Sequence, residues 1–326
     1  MMNEQSFSLA EMKNIRTSIL SEISKKIIGQ HEVIELSLIA LLAQGHCIFV
    51  GVPGLAKTLL VKTLSEALGL NFNRIQFTPD LMPSDITGTE ILQENPETKQ
   101  RSFNFLKGPI FTNLLLADEL NRTPPKTQSA LLQSMQEKAI TVSGKTFQLE
   151  QPFLVFATQN PVEQEGTYQL PEAQLDRFML MIDVKYPSFE EEMQILRQTT
   201  QKENQQIASV LSTNEILYLQ EKVKEVPVAD QLIEYATRLV RATRPEDPLC
   251  PKGVKEYIQW GAGPRAGQSL ILAAKARALL HGHAHVSKED LLAIAPSVMI
   301  HRILCNYRAQ AENISPAQLL NRLIEQ

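Results

Sequence analysis

Residues 51–58 read Gly51-Val52-Pro53-Gly54-Leu55-Ala56-Lys57-Thr58. This run follows the apolar segment 47–50 and precedes the helix-like segment 59–64. A buried strand that breaks at a loop of glycine and proline and then opens a helix is the setting in which the pattern GxxxxGK[ST] indicates a P-loop. The sequence therefore predicts an α/β fold with a phosphate-binding loop at this position.

The predicted loop has the chemistry to hold the β- and γ-phosphates of a nucleotide. Its backbone N–H groups, with those of the helix that continues through Leu59, would converge on the phosphates. Lys57 would add a positive charge, and the Thr58 hydroxyl would ligate Mg²⁺, which prefers oxygen ligands. Ala56 stands where the usual pattern has glycine. A methyl group narrows the loop slightly but removes no N–H donor, so we expect the loop to bind phosphate.

Two more predicted strands end in polar residues. Segment 114–117 is apolar and leads to Asp118 and Glu119, and segment 153–158 leads to Asn160. Ligands of open α/β sheets collect at the carboxyl ends of the strands. We expect Asp118 to orient Mg²⁺ and its waters, Glu119 to polarise the attacking water, and Asn160 to hold that water or the γ-phosphate. The alternatives are an acidic loop at a strand end and, for Asn160, a turn residue before proline.

Two arginines are candidates to complete the site. Arg177 precedes the predicted strand 179–184 at the sheet edge. It is either a surface residue paired with Asp176 or a finger that reaches into a neighbouring subunit's nucleotide. Arg265 lies in the first turn of a predicted helix that Gly263-Pro264 opens. It would reach the nucleotide if a C-terminal domain folded over it.

The N-terminal half mixes helix and strand patterns. Apolar residues at helical spacing predict helices over 9–26 and 33–42, and alternation predicts a strand over 71–77. One β-hairpin is predicted inside the region 78–109, which proline and glycine punctuate, and a second over 139–149. These hairpins are expected to be inserted between the strands of the main sheet.

From residue 187 onward the strand patterns stop. Helices are predicted over 190–201, 214–224, 229–241, 253–260, 264–280, 287–298 and 316–324. With 326 residues the chain is long enough for two domains. We therefore expect a nucleotide-binding domain at 1–186 and a helical domain at 187–326.

Composition excludes several classes of protein. The formal net charge is −4 and no run of five Lys or Arg occurs, which disfavours a nucleic-acid or anionic-membrane surface. The N-terminal residues lack an apolar signal region, and no apolar stretch reaches the ~18 residues of a membrane span, so we predict a cytoplasmic protein. The three cysteines have no metal-site or disulfide spacing and are expected in the core. The run 281–285, with three histidines, is interpreted as a helix–helix turn in preference to a metal site.

The segments GVPGLAKT, LLLADE, TQNP, LPEAQLDRF and GPRA occur in this order, and with them the chain resembles the AAA+ ATPases of the MoxR family. The resemblance runs from Ile27 to the C-terminal helices, and this family itself commonly reads GLAKT. It implies an αβα nucleotide-binding domain with a parallel sheet in the order 5-1-4-3-2 and a C-terminal all-helical lid. Residues 78–109 match the helix-2 insert and 139–149 the hairpin before sensor 1.

The resemblance also implies roles for individual residues. Asn160 matches sensor 1, Arg177 the arginine finger and Arg265 sensor 2, while Gly29 and Gln30 match the segment that lines the adenine pocket. Such proteins form rings, usually hexamers, in which neighbours share each site. Sensor 2 acts in cis or in trans in related groups, and the sequence leaves both open for Arg265.

The expected function is therefore that of an ATPase. The resemblance implies an oligomeric ring that hydrolyses Mg-ATP in chaperone-like remodelling, maturation or metal-cofactor insertion of a client protein, often with a partner that carries a von Willebrand A domain. One alternative is a nucleotide-gated scaffold with little turnover, which the set Glu119, Asn160 and Arg177 disfavours. A second is a nucleic-acid motor, which the acidic balance and the lack of a basic, aromatic stripe disfavour.

Overall fold

The computed structural model describes residues 8–94, 99, 101–160, 167–200 and 205–325. The strands in chain order are β1 (Cys47–Val50), β2 (Phe72–Gln76), β3 (Gly88–Glu94), β4 (Arg101–Lys107), β5 (Leu114–Asp118), β6 (Ala139–Val142), β7 (Lys145–Gln148), β8 (Leu154–Gln159), β9 (Leu180–Asp183), β10 (Ile258–Trp260) and β11 (Leu304–Cys305).

The helices in the same order are α1 (Leu9–Ser24), α2 (His31–Leu42), α3 (Lys57–Ala67), α4 (Pro83–Thr87), α5 (Pro125–Glu137), α6 (Glu172–Leu175), α7 (Phe189–Thr199), α8 (Thr213–Glu225), α9 (Asp230–Arg241), α10 (Lys252–Lys255), α11 (Pro264–Leu280), α12 (Lys288–Met299), α13 (Tyr307–Ala311) and α14 (Pro316–Ile324). Two 3₁₀ turns cover Leu120–Arg122 and Ile300–Arg302.

The central element is a five-stranded parallel sheet in the order β2-β5-β8-β1-β9. If these five strands are numbered along the chain, the order from the other edge is 5-1-4-3-2, as the resemblance implies. The predicted fold class is confirmed. The order brings the ends of β1, β5 and β8 together, so the polar residues that follow them meet at one edge of the sheet.

The three central strands are apolar up to their polar carboxyl ends because helices cover both faces of the sheet. On one face Phe49 and Phe156 stack with ring centroids 5.2 Å apart, in a core shared with α1, α2 and α3. On the other face Ile48 and Val155 pack in a core with α5. The strands that carry the polar ends are therefore held rigidly from two sides.

Two hairpins, β3–β4 and β6–β7, form separate antiparallel pairs, as predicted. The rings of Phe105 on β4 and Phe147 on β7 stack with centroids 4.3 Å apart. Lys145 and Glu90 add an ion pair at 3.6 Å. The two inserts are thus in direct contact with each other.

The C-terminal part is mainly helical, but the expectation that it is all-helical needs one correction. Segment 253–260, predicted as one helix, divides into the short helix α10 and the strand β10, which pairs with β11 in a small antiparallel sheet. Ile258 of β10 lies opposite Cys305. The partner strand is distant in sequence, so local periodicity could not indicate the pairing. The boundary at 186/187 stays a prediction.

Candidate functional site

The loop between β1 and α3 has the backbone conformation of a tight phosphate-binding turn. Gly54 has φ 87°, and Ala56 caps α3 with φ 54° and ψ 24°, in the left-handed region that favours glycine. An alanine there costs roughly 1–2 kcal/mol, which explains why glycine is usual at this position. A Cβ atom on Gly51 would lie 2.5 Å from the carbonyl oxygen of Val184, so that residue must be glycine. The first-turn N–H groups of α3 have no acceptor within their own helix.

A cavity of about 440 Å³ lies over this loop and is called here the P-loop cavity. Its described lining residues are Gly51, Pro53, Gly54, Leu55, Ala56, Lys57, Thr58, Leu59, Arg74, Asp118, Glu119, Thr158 and Asn160. The structure therefore brings together the predicted residues of three separate strand ends. It adds Arg74 and Thr158, which the sequence did not single out.

Asp118 is held by two neighbouring strands. Its Oδ1 accepts a hydrogen bond from the Thr158 hydroxyl at 2.6 Å, and its Oδ2 accepts one from Arg74 at 2.7 Å. The same Thr158 oxygen accepts the backbone N–H of Glu119 at 2.8 Å. Thr158 thus fixes both acids at the end of β5.

Glu119 is oriented from β2. Its Oε2 accepts a hydrogen bond from Gln76 Nε2 at 2.7 Å and lies 3.2 Å from Arg122 Nε. Gln76 is the register partner of Asp118, and Arg74 lies on the same face of β2 as Gln76. The strand order that the resemblance implied places strand 2 beside strand 3, so alternation along β2 was the signal that could have identified both residues.

Lys57 is half-buried beside these acids. Its Nζ donates a hydrogen bond to the carbonyl oxygen of Gly51. Burial lowers the pKa of Lys57, while Asp118 and Glu119 act on it in the opposite direction. A cation and two carboxylates therefore face each other across one cavity.

Arg177 and Arg265 lie elsewhere, both lining a second cavity of about 240 Å³, called here the arginine cavity. Its other described lining residues are Gln44, Gly45, His46, Met135, Gln136, Lys138, Asp176, Met179, Gln268, Ser269 and Leu272. Arg265 Nη1 lies 3.2 Å from Asp176 Oδ2. The structure brings the two predicted arginines together, but it does not bring them to the P-loop of the same chain.

The direction of the strands separates the two cavities. The P-loop follows the carboxyl end of β1, whereas Arg177 precedes the amino end of the parallel neighbour β9. A strand of four residues spans about 13 Å. The arginine cavity therefore lies at the amino ends of the strands, whereas the P-loop cavity lies at their carboxyl ends.

Gly29 and Gln30 form the turn before α2 and contact the P-loop. The side-chain amide of Gln30 lies 3.5 Å from the carbonyl oxygen of Leu55. Gly29 has φ 69°, and a Cβ atom there would lie 2.2 Å from a carboxylate oxygen of Glu191 on α7. The turn thus lies beside the P-loop, where the resemblance expects the adenine.

The histidine-containing turn has a structural role. His281 Nε2 lies 2.8 Å from Glu35, and His283 Nδ1 lies 3.2 Å from Asp290, whose carboxylate is buried. Across the described ranges no group of three or more His, Cys, Asp or Glu is arranged to hold a metal ion. Residues 281–287 lie between the end of α11 and the start of α12, so the predicted turn between helices is confirmed.

Comparison with known proteins identifies the family. Residues 46–180 match the model described as "ATPase family associated with various cellular activities (AAA)", and residues 252–323 match the AAA lid domain. The chain is 44% identical over 318 residues to Chaperone MoxR1 of Mycobacterium tuberculosis, which covers 97% of this chain and 82% of that protein. The chain belongs to the MoxR family of AAA+ ATPases. It binds nucleotide and hydrolyses ATP.

Further relatives match along most of their length. The protein YeaC of Bacillus subtilis is 42% identical, over 94% of this chain and 92% of its own. Protein MoxR of Methylorubrum extorquens is 29% identical, over 90% of this chain and 89% of its own. A crystal structure from Cytophaga hutchinsonii superposes with a TM-score of 0.88 at 42% identity, covering 97% of this chain and 95% of that one.

Within the described part of this MoxR-family chain, no helix combines the length and the apolar character that crossing a bilayer requires.

Proposed function

We propose that this MoxR-type ATPase works as a ring, usually a hexamer, in which each catalytic site is shared by two copies. One observation carries the proposal: the P-loop lies at the carboxyl ends of the strands, and the two arginines lie at the amino ends of the same sheet. A head-to-tail contact between copies would bring the arginine cavity of one chain to the P-loop cavity of the next.

Within one chain, the P-loop cavity binds and orients ATP. The loop N–H groups and Lys57 hold the β- and γ-phosphates. Glu119, fixed by Gln76, takes a proton from the attacking water, and Asn160 holds that water in line. Turnover then depends on stabilising the charge that develops on the γ-phosphate.

Thr58 and Asp118 fit Mg²⁺. They bring a hydroxyl and a carboxylate, both hard oxygen donors, to the same cavity. Each carboxylate oxygen has two acceptor positions, so Asp118 can hold a Mg²⁺-bound water while it keeps its bonds to Thr158 and Arg74. When bound, Mg²⁺ supplies positive charge to the β- and γ-phosphates.

Arg177 and Arg265 act in trans on the neighbour's γ-phosphate. Support comes from Asp176, which binds Arg265 and directly precedes Arg177, so both cations belong to one surface. An arginine finger contributes on the order of 10³–10⁵ in rate, which makes hydrolysis conditional on assembly.

The energy of hydrolysis drives chaperone-like remodelling of a client protein. Support comes from the name of the Mycobacterium tuberculosis relative and from the β3–β4 hairpin, where Leu92 is 55% and Phe103 69% exposed. Maturation or metal-cofactor insertion, and a partner with a von Willebrand A domain, follow from the family resemblance. A cytoplasmic location stays a prediction from the sequence.

The test is ATP turnover per subunit across a wide range of protein concentration, with sizing of the same samples. Specific activity should rise with concentration as the ring assembles. Arg177→Ala should bind ATP normally, and its activity per subunit should stay flat, so that it turns ATP over about 10³-fold more slowly than wild type once wild type has assembled. A constant rate in proven monomers would show that the site is complete within one chain and would remove the shared ring.

A further inference from the structure

We propose that Arg302 is a positioning residue for the arginine finger, and that through it the C-terminal helical part of one copy sets the hydrolysis rate in the next copy's site. The inference rests on the proposed role of Arg177 as a finger. It concerns residues 176–179, called here the finger turn, which connects α6 to β9 and carries Arg177.

All three guanidinium nitrogens of Arg302 donate hydrogen bonds to the finger turn. It lies in the 3₁₀ turn after α12, and its side chain is 2% exposed. Nε donates to Asp176 Oδ1 at 2.7 Å, and Nη2 donates to the carbonyl oxygens of Asp176 at 3.1 Å and Phe178 at 2.9 Å. Nη1 donates to the carbonyl oxygen of Met179 at 3.2 Å and to that of Val298.

These contacts bracket Arg177 from both sides. Of the three finger-turn carbonyl oxygens that Arg302 binds, one belongs to Asp176, before Arg177, and two belong to Phe178 and Met179, after it. His301 adds a bond from Nε2 to the Phe178 carbonyl oxygen at 3.1 Å. Arg302 therefore fixes the backbone from which the finger projects.

Asp176 links the finger turn to both lid arginines. Its Oδ1 binds Arg302 and its Oδ2 binds Arg265. Arg302 needs this partner because an unpaired charge in the interior is costly. The Asp176 carboxylate thus holds Arg265 beside Arg177 and compensates the buried positive charge of Arg302.

A purely structural role explains less of this arrangement. Buried ion pairs are often no more stabilising than apolar packing of the same volume, so stability alone does not call for an arginine here. The need to place the finger accurately does call for an arginine, because an error of 1 Å in the position of a catalytic group can reduce the rate by ~10²-fold. Arg302 belongs to the C-terminal part and lies 126 residues after Asp176. Because its hydrogen bonds connect that part to the finger turn, a displacement of the C-terminal part would move the finger turn with it.

The experiment mixes copies with complementary defects. Pure Arg302→Met rings should turn over ATP about 10²-fold more slowly than wild type, with ATP affinity within about twofold. Lys57→Ala rings should be inactive but carry intact fingers. An equal mixture should regain about a quarter of the wild-type rate per subunit, since about one interface in four joins an intact P-loop to an intact finger.

Three further variants complete the comparison. Arg177→Ala mixed with Lys57→Ala should recover in the same way. Arg308→Met is the matched control, because Arg308 is a lid arginine that binds Glu256 and Glu312 inside the C-terminal part. Its turnover should be unchanged. Arg302→Lys keeps the charge but not the planar fork, so it should lose about tenfold and recover in the same mixture.

The outcomes separate the two claims. If Arg177→Ala keeps full turnover, or is not rescued by Lys57→Ala, the shared site itself is wrong. If Arg177→Ala behaves as a finger while Arg302→Met keeps full turnover, loses ATP affinity or shows no recovery in the mixture, the role of Arg302 is wrong and the shared site stands. Should Arg302→Met fail to fold, Arg302→Lys decides by the same three readouts.

Discussion

The P-loop cavity and the arginine cavity are built in different ways. Every described acid in the P-loop cavity is held by side chains from adjacent strands: Asp118 by Arg74 and Thr158, and Glu119 by Gln76. The arginine cavity instead depends on α11, which carries Arg265, and on Arg302 behind it. The first site is therefore a property of the sheet, whereas the second is a property of how the C-terminal part packs on the sheet.

This difference separates what one chain contributes to its own site from what it would contribute to its neighbour's site. Changes in the P-loop cavity should alter what one chain does alone, and changes around the finger turn should alter what one chain does to its neighbour.

Glu119→Gln should reduce ATP turnover by about 10²–10⁴-fold, because an amide cannot take a proton from water. ATP should still bind, since Lys57 and the loop amides are intact, and the assembled state should accumulate. Steady-state turnover, nucleotide titration and sizing with ATP measure the three effects. Retained full turnover would show that the water-activating base lies elsewhere.

Lys57→Ala should weaken ATP binding by about 10²–10³-fold, because it removes a partly desolvated charge from the phosphates. Equilibrium titration with a fluorescent ATP analogue measures this affinity. Arg265→Ala is the control on the other side of the comparison, and its affinity in dilute monomers should stay within about twofold. A large loss of monomer affinity in Arg265→Ala would place sensor 2 in cis and break the comparison.

Lowering the pH should first affect the region around the arginine cavity, which His46 lines. Burial lowers the pKa of His46 to about 4, against 6.5 for an ordinary histidine, so the unfolded chain takes up a proton that the folded chain refuses. Stability should therefore fall as pH drops from 7 to 5.5, by about 1 kcal/mol from this residue. Denaturant unfolding at both pH values measures the change.

The control for this prediction is His46→Asn, which does not titrate and keeps an acceptor for the Val155 N–H that His46 Nδ1 binds at 3.0 Å. Its stability should depend less on pH over the same range. None of the described residues that line the P-loop cavity is a histidine. Monomer ATP affinity should therefore change little between pH 7 and 5.5, and a parallel loss would contradict the division between the two cavities.

The sequence predicts the P-loop side better than the arginine side for a physical reason. The loop, Asp118 and Asn160 follow buried apolar runs, and the parallel order then determines where those runs end. Arg302 and the pairing of β10 with β11 are fixed by contacts between distant segments. Local patterns carry no record of such contacts, so these features emerged only from the structure.

The contact between the two hairpins has a mechanical consequence. The stack of Phe105 on Phe147 and the ion pair of Lys145 with Glu90 resist tilting of either hairpin alone. The two hairpins should therefore move as one unit, which joins the rest of the chain just before the start of β5 and just after the end of α5. A force applied to either hairpin is therefore shared between these two connections, and the connection to β5 leads through that strand to Asp118 at its carboxyl end.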